Sequence, residues 1–273
     1  MRKRRLSPVL AALIALSIPF SAMAEAPRST PQKNGRPLML AAPQWQSGAY
    51  WADFDHRLLV DFGNLARFRA ADLQVGSHPM DNERVVFIGD SITEGWKLET
   101  SFPGKPYINR GISGQTSSQI LLRFRQDVID LHPRVTVILA GTNDLAENTG
   151  PVTLAEIEDN LESMAQLATA NHIGVILCSV LPSVNYWWHP QLANPAPRIA
   201  ALNNWLEAYA ARNHYGYVNY YTAMKDSAGA LSHDLSADGV HPSPAGYAVM
   251  APLAKAGIDE ALNTAGSLRT PRS

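Results

Sequence analysis

The sequence predicts an α/β fold: a three-layer α/β/α sandwich built on a parallel sheet of about five strands. Two observations predict it. Short apolar or β-branched runs near 84–88, 106–109, 135–140, 173–180 and 217–221 are separated by stretches in which apolar residues recur at the 3.6-residue period of a helix. Helix-start signals also stand between those runs, and the alternation strand, helix, strand implies a parallel sheet covered on both faces.

Taken in order, the chain begins with Arg2, Lys3, Arg4 and Arg5, an apolar run over 6–20 and then Ala22-Met23-Ala24, the pattern of a cleaved secretory signal over residues 1–24. The run is too short to span a bilayer, and no cysteine stands near the expected cut, so the pattern predicts export to the periplasm or the medium without a stable membrane anchor. Residues 25–50 mix proline, glycine and polar residues without a period and read as a spacer or strap. A helix is expected from about Ala52 to Leu73, and a single domain from 51 to 265, followed by a short tail over 266–273. Thr116 with Gln119, and Thr153 with Glu156, have capping-box spacing, and Ser243-Pro244 supplies an N-cap followed by proline at the first helical position. Behind these caps Ile120, Phe124 and Val128, then Leu154, Ile157 and Leu161, then Ile199, Leu202, Leu206 and Tyr209 form apolar faces that belong to the core.

Charge narrows the function. The whole chain carries 23 Lys+Arg and 24 Asp+Glu, and without residues 1–24 the balance is 19 against 24, a formal charge of −5. Such a chain lacks the electrostatic support that nucleic-acid binding needs. The single cysteine, Cys178, lies in the apolar run VILCSVLP, where a thiol acts as a small core residue, and it has no partner for an internal disulfide.

In a parallel sheet the binding crevice lies beyond the carboxyl ends of the strands, so the loops that follow them are where chemistry is expected. These loops hold Gly89-Asp90-Ser91, NRGISGQTS, AGTNDLAEN and, after the fifth strand, DGVHPSPAGY. Together they contain what acyl transfer uses: a nucleophile in Ser91, a base in His241, and a carboxylate in Asp238 three residues before it. Gly114 and Asn143 are candidate oxyanion donors, by a backbone N–H and a side-chain amide. Each motif also has a plainer reading. Gly-Asp-Ser is a common turn, Gly111 and Gly114 can serve a left-handed backbone, Asn143-Asp144 can cap a helix, and Asp238-Gly239 can be a turn.

The blocks GDSI, the Gly114 loop, GTND and DGVH resemble the four sequence blocks of the SGNH hydrolases, also called GDSL esterases, over about Trp51 to Leu262. The resemblance implies a flavodoxin-like sandwich, a nucleophile at Ser91, oxyanion donors in the Ser91 N–H, Gly114 and Asn143, and a triad completed by Asp238 and His241. No cofactor and no metal enter those roles. The wider pattern is similar to exported bacterial members of the lysophospholipase-like branch.

Three competing readings bear on the same residues. The larger α/β-hydrolase fold keeps the order Ser, Asp, His but needs G-x-S-x-G, and here Thr93 breaks that elbow. His233, Asp234, Asp238 and His241 crowd within nine positions as a zinc site would, without an accompanying H-E-x-x-H motif. A non-catalytic carbohydrate-binding module would use the same crevice without chemistry. For the substrate, the loop LPSVNYWWHPQLANPAP sends Tyr186, Trp187 and Trp188 toward the crevice, where aromatics stack on a sugar ring or line an acyl groove, or else cover the sheet edge. Trp96 reads as packing. The expected partner is a small-molecule or carbohydrate ester, with short acyl esters of carbohydrate ahead of lysophospholipid or general short-chain esters.

Overall fold

The computed structural model describes residues 48–76 and 83–267. The expected leader, most of the strap and the end of the tail lie outside the described residues. The sheet has five strands, β1 Val85–Gly89, β2 Tyr107–Gly111, β3 Val135–Leu139, β4 Gly174–Cys178 and β5 Gly216–Val218, all parallel in the order β2-β1-β3-β4-β5. The chain runs from β1 outward to β2, then crosses back to β3 on the other side of β1. This reversal opens a crevice between the loops that follow β1 and β3.

Alternate side chains of each strand enter opposite core layers, as a period of two requires. Val86, Ile88, Ile138, Val175 and Leu177 face α5 (Ser117–Asp127), α7 (Leu154–Ala170) and α8 (Ala196–Asn213). Val85, Phe87, Val137, Ile176 and Cys178 share the other layer with Met250, Ala254 and Ile258 of α10 (Pro244–Ser267). Burial of these runs on both faces explains why they read as continuous apolar segments. Cys178 is buried and its thiol is pushed up to about 12 by that burial.

The start signals act as expected at three helices. Gln119 Oε1 accepts from Thr116 N at 3.0 Å, Glu156 Oε2 accepts from Thr153 N at 2.7 Å, and Ser243 Oγ accepts from Gly246 N at 3.3 Å. The expected helix over 52–73 is instead two helices, α1 Gly48–Val60 and α2 Arg69–Gly76. Asp61 breaks it, because its carboxylate accepts from Leu65 N (2.9 Å) and Ala66 N (3.1 Å), and Asn64 adopts φ 51°. Side-chain amides from across the fold secure the freed carbonyls: Gln119 to Phe62 O, Gln115 to Gly63 O and Gln126 to Leu65 O. α1 also begins within the stretch read as strap.

Four short helices escaped the periodicity, α3 (Ser91–Glu94), α4 (Leu98–Ser101), α6 (Thr142–Leu145) and α9 (Tyr220–Met224), since four or five residues are too few to show it. Trp96 is packing, as expected: it is buried against Phe87 and Phe102 and stacks on Tyr247 at 5.5 Å.

Candidate active site

The loop after β1 is shaped by what it must fit. A β-carbon on Gly89 would stand 2.3 Å from Thr93 Oγ1 and 2.4 Å from Leu139 O, so the strand end admits only glycine. Asp90 then caps α3, its Oδ1 accepting from Ile92 N at 2.9 Å, and Ser91 becomes the first residue of that helix, half-buried at the crevice.

His241 arrives from a separate loop. α9 and a small bridge between Lys225 and Leu231 intervene between β5 and this loop, so it is less immediate to the strand than its sequence position suggests. A bridge between Ser236 and Pro242 closes the loop, and Gly239 turns it at φ 78°. Within it Asp238 Oδ1 accepts from His241 N (2.8 Å) and Val240 N (3.0 Å), while Oδ2 lies 2.7 Å from His241 Nδ1. The far nitrogen, Nε2, lies 2.9 Å from Ser91 Oγ. Burial pushes the Asp238 carboxyl up, but the hydrogen bonds and charge of His241 and the two backbone N–H groups outweigh it and hold it at about 2. Tyr247 Oη donates to Ile92 O at 2.8 Å, tying the helix behind the His241 loop to the helix that carries Ser91.

Asp90, one residue from Ser91, is moved the opposite way. Complete burial pushes its carboxyl up to about 7, against the opposing effects of the Ile92 N–H and His241. Two carboxylates in one site are thus set apart by environment alone.

Gly114 and Asn143 reach the same place from β2 and β3. Gly114 has φ 81°, and among the described residues neither its N–H nor that of Ser91 is taken by a protein acceptor. The close approach of this loop depends on Gly111, where a β-carbon would stand 2.0 Å from Glu94 N. Glu94 accepts from Ser113 N at 2.7 Å and from Ser113 Oγ, which ties the Gly114 loop to α3. The Asn143 side chain is buried, with Nδ2 donating to Gln115 O at 3.0 Å and, more weakly, to Asp90 Oδ2 at 3.3 Å. Asp144 caps α5 across the loop rather than its own turn: it accepts from Ser117 N (2.9 Å) and Ser117 Oγ (2.6 Å), and burial raises its carboxyl above the ordinary range.

Beneath these loops the Arg123 side chain is wholly buried, donating to Asp127 Oδ2, Gln115 Oε1, Arg110 O and Gly89 O. It fixes the carbonyl that immediately precedes the Asp90-Ser91 turn. Asp90 and Asp144 lie inside the GDSI and GTND blocks but have no role at the site that is legible in the sequence, and Glu94 and Arg123 lie outside any motif. Glu94, three residues past Ser91 on the same short helix, had the clearest positional signal.

The three aromatics of the loop after β4 part ways. Tyr186 is a core residue, 1% exposed. Trp188 is half-buried, packs on Tyr186 at 5.2 Å and lies 6.5 Å from the His241 ring. Trp187 meets Trp188 edge-on at 5.1 Å. His233 and Asp234 are exposed, apart from the paired Asp238 and His241, and among the described residues no three His, Cys, Asp or Glu side chains are grouped to hold a metal.

Comparison with known proteins places these loops in a wider setting. The model of the GDSL-like Lipase/Acylhydrolase family matches residues 87–249, which include Ser91, Gly114, Asn143, Asp238 and His241. A GDSL-like lipase from Bacteroides thetaiotaomicron is 45% identical with a TM-score of 0.71, covering 74% of this chain and all of that one. The esterase TesA of Pseudomonas aeruginosa is 29% identical over 176 residues, 59% of this chain and 80% of that protein. An acetylxylan esterase from Geobacillus stearothermophilus, 23% identical with a TM-score of 0.54 over 64% of this chain and 94% of its own, shares the fold.

Proposed function

This chain belongs to the GDSL-like lipase/acylhydrolase family and is a carboxylic ester hydrolase, and from that premise we propose that Ser91, His241 and Asp238 form its catalytic triad, acting on short acyl esters of carbohydrate. The observation that carries the triad is the continuous contact from Asp238 Oδ2 to His241 Nδ1 (2.7 Å) and from His241 Nε2 to Ser91 Oγ (2.9 Å).

In this reading His241 takes the Ser91 proton as Oγ attacks the ester carbonyl carbon. Asp238, held ionised, keeps the ring's proton on Nδ1 and stabilises the imidazolium. The carbonyl oxygen becomes an anion received by the N–H groups of Ser91 and Gly114 and by the Asn143 amide. Collapse breaks the carbon–oxygen bond to the alcohol, which leaves with the proton from His241, and an acyl-serine remains. Water then gives a proton to His241 as it attacks the acyl carbon, the carbon–Oγ bond breaks to release the acid, and His241 returns the proton to Ser91 Oγ.

The carbohydrate preference is supported by Trp188, whose ring lies 6.5 Å from that of His241 and can stack on a sugar ring, with Trp187 edge-on against it. It is also supported by the charged-then-apolar pattern of residues 2–24, which would deliver the enzyme to envelope or extracellular material. Among the described residues no helix is long and apolar enough to cross a membrane.

Two arms test the proposal with purified protein. Ser91→Ala should abolish hydrolysis of p-nitrophenyl acetate, and retention of the wild-type rate would refute the triad. A panel crossing acetyl, butyryl and long acyl chains with sugar, aryl and glycerol alcohols should give the highest kcat/KM on acetylated sugars, whereas a maximum on long-chain glycerol esters would reassign the substrate to lysophospholipid.

A further inference from the structure

A single side chain outside the four sequence blocks connects the loops that follow β2, β3 and β4. Asn148 donates from Nδ2 to Gly114 O at 3.0 Å and to Asn143 Oδ1 at 2.9 Å, and its Oδ1 accepts from Trp188 Nε1 at 2.9 Å. Its backbone N–H also bonds to Asn143 O at 3.0 Å. The preceding residue, Glu147, is held at φ 56°, a left-handed conformation that a β-carbon disfavours, and this turn folds Asn148 back onto Asn143.

The chemistry of these groups gives the chain of contacts a direction. An indole nitrogen only donates, so the Asn148 atom facing Trp188 must be its carbonyl oxygen. The Asn148 amino group therefore faces Gly114 O and Asn143. That in turn requires the Asn143 atom facing Asn148 to be its oxygen, and leaves the Asn143 amino group turned toward Gln115 O and Asp90, the neighbour of Ser91. The Trp188 N–H thus fixes the same orientation of the two amides that the acceptor-only carbonyls of Gly114 and Gln115 require, and all three contacts hold one arrangement of nitrogen and oxygen ends. If Asn143 were flipped, it would present an oxygen where the carbonyl anion forms, and repel it.

We propose that Asn148 is a positioning residue that orients the Asn143 amide for the oxyanion and links it to Trp188, so that the aromatic loop contributes to kcat as well as to binding. This inference rests on the catalytic role given above to Ser91 and Asn143. It differs from a packing role in requiring that Asn148 act mainly through Asn143: once Asn143 is gone, removing Asn148 costs only its bond to Gly114 O, a smaller loss.

The test measures kcat and KM for p-nitrophenyl acetate in N143A, N148A, N148D, W188F, N143A/N148A and S91A, with thermal unfolding of each. N148A is expected to lower kcat by about 10- to 100-fold with KM within about twofold, less than the ~10²–10³ expected for N143A. N148D keeps the side-chain volume but cannot donate, and should lose at least as much. W188F, which retains an aromatic ring without the N–H, should lower kcat by several-fold. The double variant should be no slower than N143A alone, within about threefold. The inference is overturned if N148A or N148D turns over within twofold of wild type, or if the N148A and N143A losses multiply. Should N148A fail to fold, N148D and W188F decide by the same kcat criterion. Wild-type turnover by S91A would instead overturn the triad, so the two failures are distinguishable.

Discussion

The two halves of the proposed catalytic site are built differently. The base half is local: Ser236 to Pro242 close on themselves, and one carboxylate, Asp238, takes two backbone N–H groups and an imidazole from its own loop. The oxyanion half is distributed. Gly114, Asn143, Asn148 and Trp188 come from three loops and are aligned by single hydrogen bonds over a buried layer holding Asp90, Asp144 and Arg123. A local device keeps its geometry through its own backbone, whereas a distributed one holds only while each loop keeps its neighbour in place. The base half should therefore fail through loss of one group, and the oxyanion half through loss of alignment.

The largest effect expected from breaking the local half is that of Asp238→Asn. The amide offers the ring no charge and favours the wrong tautomer, which should lower kcat by about 10⁴ with little change in KM. A loss under tenfold, measured with p-nitrophenyl acetate, would mean that the loop backbone alone orients His241. The Asn143 and Asn148 variants described above come next, at two to three decades and one to two.

A smaller effect separates the halves by pH. Asp238 lies at about 2 against 3.8 for a free carboxyl, so it contributes stability that is present above about pH 4 and lost as pH falls toward 2. Asp90 lies at about 7, so its carboxyl keeps its proton in the folded protein where the unfolded chain has lost it. Its contribution is fully present below about pH 4 and is lost as pH rises toward 7, with a slope of up to about 1.4 kcal/mol per pH unit. Asp90→Asn cannot ionise. Urea unfolding between pH 4 and 8 should show wild type losing stability relative to this variant from pH 4 to 7 and then running parallel. Parallel curves throughout would mean that Asp90 is not held protonated.

The same contrast explains what could be read from the sequence. The five strands, the caps at Thr116, Thr153 and Ser243, and the candidate triad are short-range signals: a run, a spacing of three, an Asp-x-x-His. The break at Asp61 was not legible because a carboxylate accepting from residues four and five ahead looks, in sequence, like any polar residue in an amphipathic helix. Nor was the burial of Tyr186, since three adjacent aromatics point in directions set by the turn of the loop. Asn148 ties loops together through partners 34 and 40 positions away, Gly114 and Trp188, and Arg123 reaches Gly89 at 34, and no local pattern encodes such pairs.

The relay itself is tested most directly by covalent labelling. Wild-type enzyme treated with a fluorophosphonate and digested should yield one modified peptide, with the adduct on Ser91, and H241A should label far more slowly. An adduct on another serine, or no adduct on fully folded and active enzyme, would contradict the account.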